Sequence, residues 1–577
     1  MYNLYRNKTN RLAKALKRKY YLSKVEHLSS SNSRKWWQSV RLLAGSKNCD
    51  SSAMTYLANS ACGGDMGALS EAINSFFASV SAGMPPLQPA EPSSPIPNNV
   101  PDCYLLSVDA VERMLHQINS TKASGPDDIP SWVLRDFCHV FAKPVCHIFN
   151  STIIEGHLPT IWKCANVVPI PKSAPPKAIE SDLRPISLTP VLSKCLEGKI
   201  NEWLFQCVAS QLDPEQYGNI PKSSTTLALI RILHDWYLAT DVAPGAVRSV
   251  FLDFSKAFDR IDHNILLNKL QNMNVPETLI AWLRAFLTGR KQRVKMGGSV
   301  TSWADLNGGV PQGTKLGPLL FLIMINDLSS PIPMVKYVDD TTVYRTAPQI
   351  RLCDIQDSID AIVSWCDINN MKLNEKKTVS MDVSFAKADP LLDPITIKGT
   401  PIETVHCFKL LGLLISDDLT WEENTAHICK RANSRLYGLT LLRRAGLSQE
   451  HLLRVYKSTI RPVVEYACAV WHNSLTKADS QSIESIQERA LTTIFGQNSY
   501  DINLELAGLP SLMMRRGELC QKLFSEFQTP DHKLHHLLPQ VRSSGYNLRQ
   551  MRDREPLRCH TKRTSNSFIM YCLSNLQ

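Results

Sequence analysis

Two adjacent carboxylates, Asp339 and Asp340, lie between runs of branched and aromatic residues, Met334-Val335-Lys336-Tyr337 before them and Thr341-Thr342-Val343-Tyr344 after. That composition predicts paired strands, with Val338, Asp339 and Asp340 at the tight connection. A second acidic centre lies upstream, where Val250-Phe251-Leu252 reads as a hydrophobic strand ending at Asp253. Three carboxylates converging from two strands would make an oxygen-only cage suited to Mg²⁺. Two such ions can clamp an in-line displacement at phosphorus, the device of polymerases and nucleases. Taken alone, Asp339-Asp340 also reads as an acidic turn, because Asp is favoured there. Asp259 and Asp262 follow at what reads as a helix start, where they are expected to cap the helix.

Between the acidic centres runs Gly309-Val310-Pro311-Gln312-Gly313-Thr314-Lys315-Leu316-Gly317-Pro318, leading into the apolar stretch Leu319 to Leu328. Gly313 permits close backbone approach by a ligand, and Gln312 offers amide donors and an acceptor. The loop weighs against a nuclease, in which it would have no role and for which no water-activating base is evident.

The elements that must position these groups belong to a chain of 577 residues with 44% hydrophobic content, enough for several domains. A net charge of +11 suits a polyanionic partner. The positive charge is concentrated at the ends. Arg6, Lys8, Arg11, Lys14, Lys17, Arg18, Lys19 and Lys24 crowd one terminus, and Arg542, Arg549, Arg552, Arg554, Arg558, Lys562 and Arg563 the other. Either run also reads as a solvated face. Tyr20, Tyr21, Trp36 and Trp37 near the first favour backbone and base-stacking contacts. The 16 cysteines form no CxxC pair and no regular framework, which predicts reduced thiols inside a cell. Cys138-His139, Cys146-His147 and Cys559-His560 fit no zinc-binding spacing. The charged N-terminus lacks a signal-peptide apolar segment, and Leu319 to Ile325 is too short to span a bilayer. The expected location is intracellular, in the nucleus and/or cytoplasm, without membrane attachment.

Residues 1 to about 60 read as basic and helical, with Trp36-Trp37 and Leu42-Leu43 as docking points. Ala68 to Val80 carries an apolar stripe of helical period at Leu69, Ile73, Phe76, Phe77 and Val80. Prolines 85, 86, 89, 92, 95, 97 and 101 mark an extended linker. Helical and strand-like runs alternate over 101–416, and beyond Trp421 the pattern turns helical, over 426–442, 449–470 and 480–495.

Taken in order, these motifs resemble the reverse transcriptase of non-LTR (LINE-type, jockey-like) retrotransposons, over nearly the full length. Thr121-Lys122-Ala123-Ser124-Gly125-Pro126-Asp127 resembles that family's N-terminal extension of the fingers. Val168 to Lys172 and Asp182 to Ser187 resemble its fingers motifs. Phe251 to Asp259 (FLDFSKAFD) is similar to motif A, Gly309 to Pro318 to motif B, Tyr337 to Asp340 to motif C and Asn374 to Thr378 to motif D. Phe408 to Gly412 is similar to the primer-grip hairpin. The fold implied is α+β: a right-hand polymerase with fingers, an antiparallel-sheet palm and a helical thumb, flanked by a basic helical N-terminal region and a helical C-terminal tail. Residues 1–100 would be the basic region and linker, 101–416 fingers and palm, and 417–577 thumb and tail. The resemblance further implies RNA-directed DNA polymerase activity, with an RNA template, a DNA primer, dNTPs and two Mg²⁺ ions, for which Mn²⁺ would substitute.

By the same resemblance, Asp253, Asp339, Asp340 and the Phe254 carbonyl would hold the ions. Lys172 and Arg184 would grip the triphosphate, and Gln312 and Gly313 would line the nucleotide pocket. Phe258 would reject a ribose 2′-hydroxyl by clash, and Lys377 would protonate the leaving pyrophosphate. The chain departs from the family's pattern at Pro221-Lys222-Ser223, where glycine and arginine are usual, at Thr314-Lys315 and at Tyr337-Val338. No segment resembles the endonuclease that usually precedes this polymerase, so that domain is expected to be absent. A truncated, non-catalytic RNA-binding relic is the alternative, and the sequence sets no oligomeric state.

Overall fold

The computed structural model describes residues 1–26, 33–45, 50–87, 100–173, 175–350, 354–386, 392–541, 554 and 557–575. Its strands, in chain order, are β1 (Cys164–Pro171), β2 (Leu183–Leu188), β3 (Ala246–Leu252), β4 (Arg290–Met296), β5 (Ser299–Val300), β6 (Ala304–Leu306) and β7 (Met334–Tyr337). There follow β8 (Asp340–Ala347), β9 (Val379–Ser384), β10 (Thr396–Ile397), β11 (Thr400–Pro401), β12 (Glu403–Thr404), β13 (Cys407–Leu410) and β14 (Leu413–Ser416). With helices throughout, the fold is α+β.

One sheet pairs β2 antiparallel to β1 and β4 parallel to β1, with β5 and β6 folding back on β4. The sheet that bears the acidic centres runs β12-β9-β3-β8-β7. Its central strand, β3, lies antiparallel to both β8 and β9. Every residue of β3 is buried, which explains its unbroken Val250-Phe251-Leu252 run where a half-exposed strand would alternate. Side chains still leave to opposite faces. Val247 and Phe251 join one core with Trp236, Tyr344 and the C-terminal helices, whereas Val250 and Leu252 join a second with Phe286 and Leu320. Each large side chain so buried contributes about 1.5–3 kcal/mol, so the strand that ends at Asp253 is clamped from both sides. Helix Thr225–Ala239 presses Trp236 against Phe251 and Tyr344, at ring separations of 6.4 and 6.2 Å.

The helix expected over 68–80 spans Met66–Ala82, started by the Asp65 carboxylate accepting from the Gly67 and Ala68 amides. Leu319 to Met324 lie in helix Gly317–Met324, with Pro318 in its first turn and Ile325 at its C-terminal cap. The helix expected over 449–470 is interrupted. It runs Gln449–Val455, widens to a π-turn over Tyr456–Ile460 and resumes as Arg461–Glu465, with Pro462 at its start. Proline has no N–H for the preceding turn, so the regular ladder fails there.

Of the two readings of Trp36, docking point and base-stacking platform, the packing favours the first, and two basic residues near the C-terminus are engaged by the protein itself. Trp36 is 3% exposed, packed edge-on against Trp37 with Arg454 over its ring, so it docks the N-terminal helices rather than stacking on a base. Arg563 donates to the Thr240 carbonyl at 2.7 Å and lies 3.5 Å from the Phe385 ring centroid, which takes it out of a free basic face. Arg554 donates to the Pro539 carbonyl. Arg542, Arg549 and Arg552, and prolines 89, 92, 95 and 97, lie outside the described residues. Every cysteine among the described residues is a free thiol, and among them no helix is long and apolar enough to cross a membrane.

Candidate active site

The acidic centres meet at the ends of β3, β7 and β8. Tyr337 pairs with Asp340, leaving Val338 and Asp339 as a two-residue turn. The β3–β8 register runs to Leu252 opposite Thr341, so one further step sets Asp253 beside Asp340. Val338 holds φ at +59°, a left-handed conformation that a β-branched residue takes at a cost of ~1–3 kcal/mol. Its N–H donates to the Gln216 side-chain oxygen at 2.9 Å.

Asp253 is held from the side of Asn374 and Thr378. Its carboxylate accepts from the Asn374 amide at 3.0 Å, its carbonyl from the Asn374 N–H at 2.7 Å, and its own N–H donates to the Thr378 hydroxyl at 3.3 Å. Ser255 N–H donates to the Lys372 carbonyl, so this bridge runs through Asp253 and Ser255 and does not use the Phe254 carbonyl.

Burial, then the charges of Asp339 and Asp253, push the Asp340 carboxyl up to about 6. The Asp339 carboxyl is raised by burial and by Asp253, against the lowering pull of the Arg184 guanidinium. As they stand, these side chains are not drawn tight. Among the described residues, no three His, Cys, Asp or Glu side chains are grouped closely enough to hold a metal ion. The Asp253 carboxylate is engaged by Asn374. The donor set itself, all carboxylate oxygen, fits a hard divalent cation.

Cations face the acids. The Lys172 ammonium donates to the Ser181 carbonyl at 2.9 Å and is pushed down by partial burial, Lys377 and Arg184, with Asp253 opposing. Arg184 and Lys377 are exposed. A fourth cation, Lys256, was not singled out from the sequence. Its ammonium sits 4.5 Å from the Phe76 ring centroid and 5.8 Å from that of Phe77, with no hydrogen-bond partner among the described residues. Burial, Lys172 and Lys377 lower it and Asp259 raises it. Lys256 has φ +55°, and its cage comes from helix Met66–Ala82, far upstream. Only its place three residues past Asp253 marked it in the sequence.

Phe258 is half-buried, its ring stacked on Phe321 at 4.8 Å and 24°. Gln312 does not present a free amide: its side chain donates to the Asp259 carboxylate at 3.2 Å and its carbonyl accepts from Ser187 N–H at 2.8 Å. Gly313, at φ +118°, is needed by the protein's own backbone, since a Cβ there would lie 2.8 Å from the Ser187 carbonyl. The glycine-rich loop is thus sewn between the end of β2 and the turn after Asp253. Asp259 accordingly does not cap a helix. It receives Gln312, and burial raises its carboxyl. Asp262 does cap helix His263–Asn272, accepting from the Asn264 and Ile265 amides. The β13–β14 hairpin lies behind β3, Phe408 stacking on Phe251 at 4.1 Å and 12°.

A sheet whose strand end and neighbouring turn gather three carboxylates opposite a row of cations has the make-up of a phosphoryl-transfer site. Residues 170–415 match the family model described as "Reverse transcriptase (RNA-dependent DNA polymerase)". The chain is similar to the RNA-directed DNA polymerase from mobile element jockey of Drosophila melanogaster, 26% identical over 449 residues, 74% of this chain and 48% of that protein. It is also similar to the probable RNA-directed DNA polymerase from transposon X-element of the same fly, 27% identical over 402 residues, 67% of this chain and 44% of that protein. The jockey polymerase of Drosophila funebris matches at 26% over 469 residues, 78% of this chain and 50% of that protein. Residues 170–415 are therefore a reverse transcriptase domain of the kind found in non-LTR, LINE-type elements. The chain spans about half the length of the curated relatives it matches.

Proposed function

We propose that this chain is an RNA-directed DNA polymerase that extends a DNA 3′-hydroxyl on an RNA template, using dNTPs. The observation that carries the reading is the register that sets Asp253 beside Asp340 and next to the Val338-Asp339 turn, within the segment that matches the reverse transcriptase model. In this reading 101–416 form fingers and palm, the palm being the β12-β9-β3-β8-β7 sheet, and 417–577 form the thumb and tail.

Asp253, Asp339 and Asp340, with the Phe254 carbonyl, would hold two Mg²⁺ ions. Bound there, the ions supply a lowered pKa for the primer hydroxyl and neutralise phosphate charge. The protein's own groups do the rest. Lys172 and Arg184 bind the triphosphate, with Lys256 behind them. Phe258, fixed by its stack on Phe321, keeps its ring where a ribose 2′-hydroxyl would lie. Gln312 and Gly313 hold the floor of the nucleotide pocket through Asp259 and Ser187. Lys377, exposed and ammonium-bearing, gives a proton to the departing pyrophosphate.

The test is extension of oligo(dT) on poly(rA) with dTTP and Mg²⁺, run beside the Asp339→Asn, Asp340→Asn double variant. Extension by the wild type alone is expected. No extension by either, with template–primer binding kept, would favour a non-catalytic RNA-binding protein.

A further inference from the structure

The Val338-Asp339 turn does not hold its shape by itself. A β-branched residue at φ +59° keeps that conformation only under outside constraint, and the constraint comes from the segment Glu215–Gly218. That segment runs parallel to β7, with Lys336 N–H donating to the Glu215 carbonyl at 2.9 Å and Tyr217 N–H to the Lys336 carbonyl at 2.8 Å. Gln216 is 3% exposed, and its side-chain oxygen accepts from both the Val338 N–H, at 2.9 Å, and the Gly218 N–H, at 2.8 Å. Gly218 presses so close that a Cβ would lie 2.4 Å from Val338 Cγ2 and 2.5 Å from its nitrogen. Lys336 anchors the strand beneath through Asp213 at 2.6 Å and the Leu328 carbonyl at 2.6 Å.

The far side of this brace is closed by a residue near the other end of the chain. Lys533 donates to the Gln216 carbonyl, and its ammonium sits 4.4 Å from the centroid of the buried Tyr217 ring. Its neighbour Leu534 is fully buried in the core that holds Phe527 and Phe568, so the Lys533 backbone is fixed by packing, independently of its head group.

We infer that Gln216 and Lys533 are positioning residues for the acidic turn, with Gln216 fixing the Val338 N–H that aims Asp339 and Lys533 holding Gln216 from behind. This assignment rests on the reading that Asp339 and Asp340 act in catalysis. It makes the C-terminal segment around Lys533 part of the polymerase site's scaffold, without contact to substrate.

The full chain tests it as Gln216→Leu, which removes the acceptor, Gln216→Glu, which keeps one, Lys533→Met and Lys533→Arg. Two readouts need no turnover: hydrogen–deuterium exchange of the peptide spanning 335–341, and Mn²⁺ affinity by electron paramagnetic resonance in the absence of nucleotide. Gln216→Leu should speed exchange and weaken Mn²⁺ binding at least tenfold, and Lys533→Met about threefold. Gln216→Glu and Lys533→Arg should stay within threefold and twofold of wild type, and template–primer affinity should hold within twofold throughout. Unchanged exchange in a folded Gln216→Leu would overturn the inference. Should that variant not fold, Lys533→Met decides, and unchanged exchange there overturns it. A wild type that extends no primer while the exchange differences persist would sink the proposed activity and leave the brace standing.

Discussion

Asp340→Asn should destroy nucleotide addition and yet stabilise the metal-free protein at neutral pH. The Asp340 carboxyl is pushed up to about 6, first by burial and then by the charges on Asp339 and Asp253. A carboxyl raised on folding disfavours its own ionisation in the native state. The stability it allows is full below its unfolded value near 3.9 and is lost as pH rises through about 6. A shift of about two units corresponds to at most about 3 kcal/mol at 1.36 kcal/mol per unit. The Asp340 residue is exposed to solvent even though its carboxyl is crowded by protein atoms, so screening reduces this to about 1 kcal/mol. The asparagine keeps the shape and carries no charge. In EDTA at pH 7.5, Asp340→Asn should therefore melt a few degrees above wild type, and at pH 4 the difference should vanish. Adding Mg²⁺ should raise the wild-type midpoint more than the variant's. Paired melts at the two pH values, with and without the ion, make the check. Equal stabilisation at both pH values, or destabilisation at pH 7.5, would refute the carboxylate-repulsion argument.

Asp339→Asn should abolish primer extension, a loss of several kcal/mol of transition-state stabilisation, while template–primer affinity stays near wild type in a filter-binding assay. Phe258→Ala should admit ribonucleotides, read as the ratio of kcat/KM for dTTP and UTP, and unchanged discrimination would place the sugar gate elsewhere. Lys256→Met should raise the KM for dNTP severalfold while keeping the fold, since its ammonium lies among Phe76, Phe77 and the other cations; an unchanged KM would leave it a packing residue. Lys336→Met should cost about 1–3 kcal/mol in denaturant unfolding, because it takes the donor away from the buried Leu328 carbonyl and from the half-buried Asp213, each 2.6 Å away.

The acidic hairpin was legible because it is local: strand-forming runs on both sides of a short connection leave few alternatives, and Met334–Tyr337 and Asp340–Ala347 are the strands that form, although Asp340, expected in the connection, pairs with Tyr337 and begins the second strand. The helix Met66–Ala82 was legible from its apolar period, and its Asp65 start from capping chemistry. What had no signal was pairing at long range. A single amide such as Gln312 carries no period, so nothing along the chain ties it to Asp259 or to Ser187. Trp36 carried two readings, a docking point and a stacking platform among basic residues, and the sequence could not choose because a tryptophan's side is set by what it packs on, here Trp37 and Arg454. The interrupted helix at Tyr456–Ile460 did have a mark, Pro462, outweighed by the apolar period around it.

The site holds charges of both signs that are not fully neutralised: Asp253, Asp339 and Asp340 on one side, and Lys172, Arg184, Lys256 and Lys377 on the other. Direct pairing between the two sets would lower the energy of the free protein. The fold resists it by engaging three of the seven elsewhere. Asn374 donates to Asp253, the Ser181 carbonyl engages Lys172, and the rings of Phe76 and Phe77 cage Lys256. A gap kept open between opposite charges is suited to something that bridges them, cations against the acids and phosphate oxygens against the lysines and arginine. Mg²⁺ with a nucleoside triphosphate has that alternation of charge in a single ligand. Collapse is resisted because β3, which carries Asp253, is buried along its whole length between two cores. Stability that a surface strand would lack is what allows this one to end in an unneutralised carboxylate.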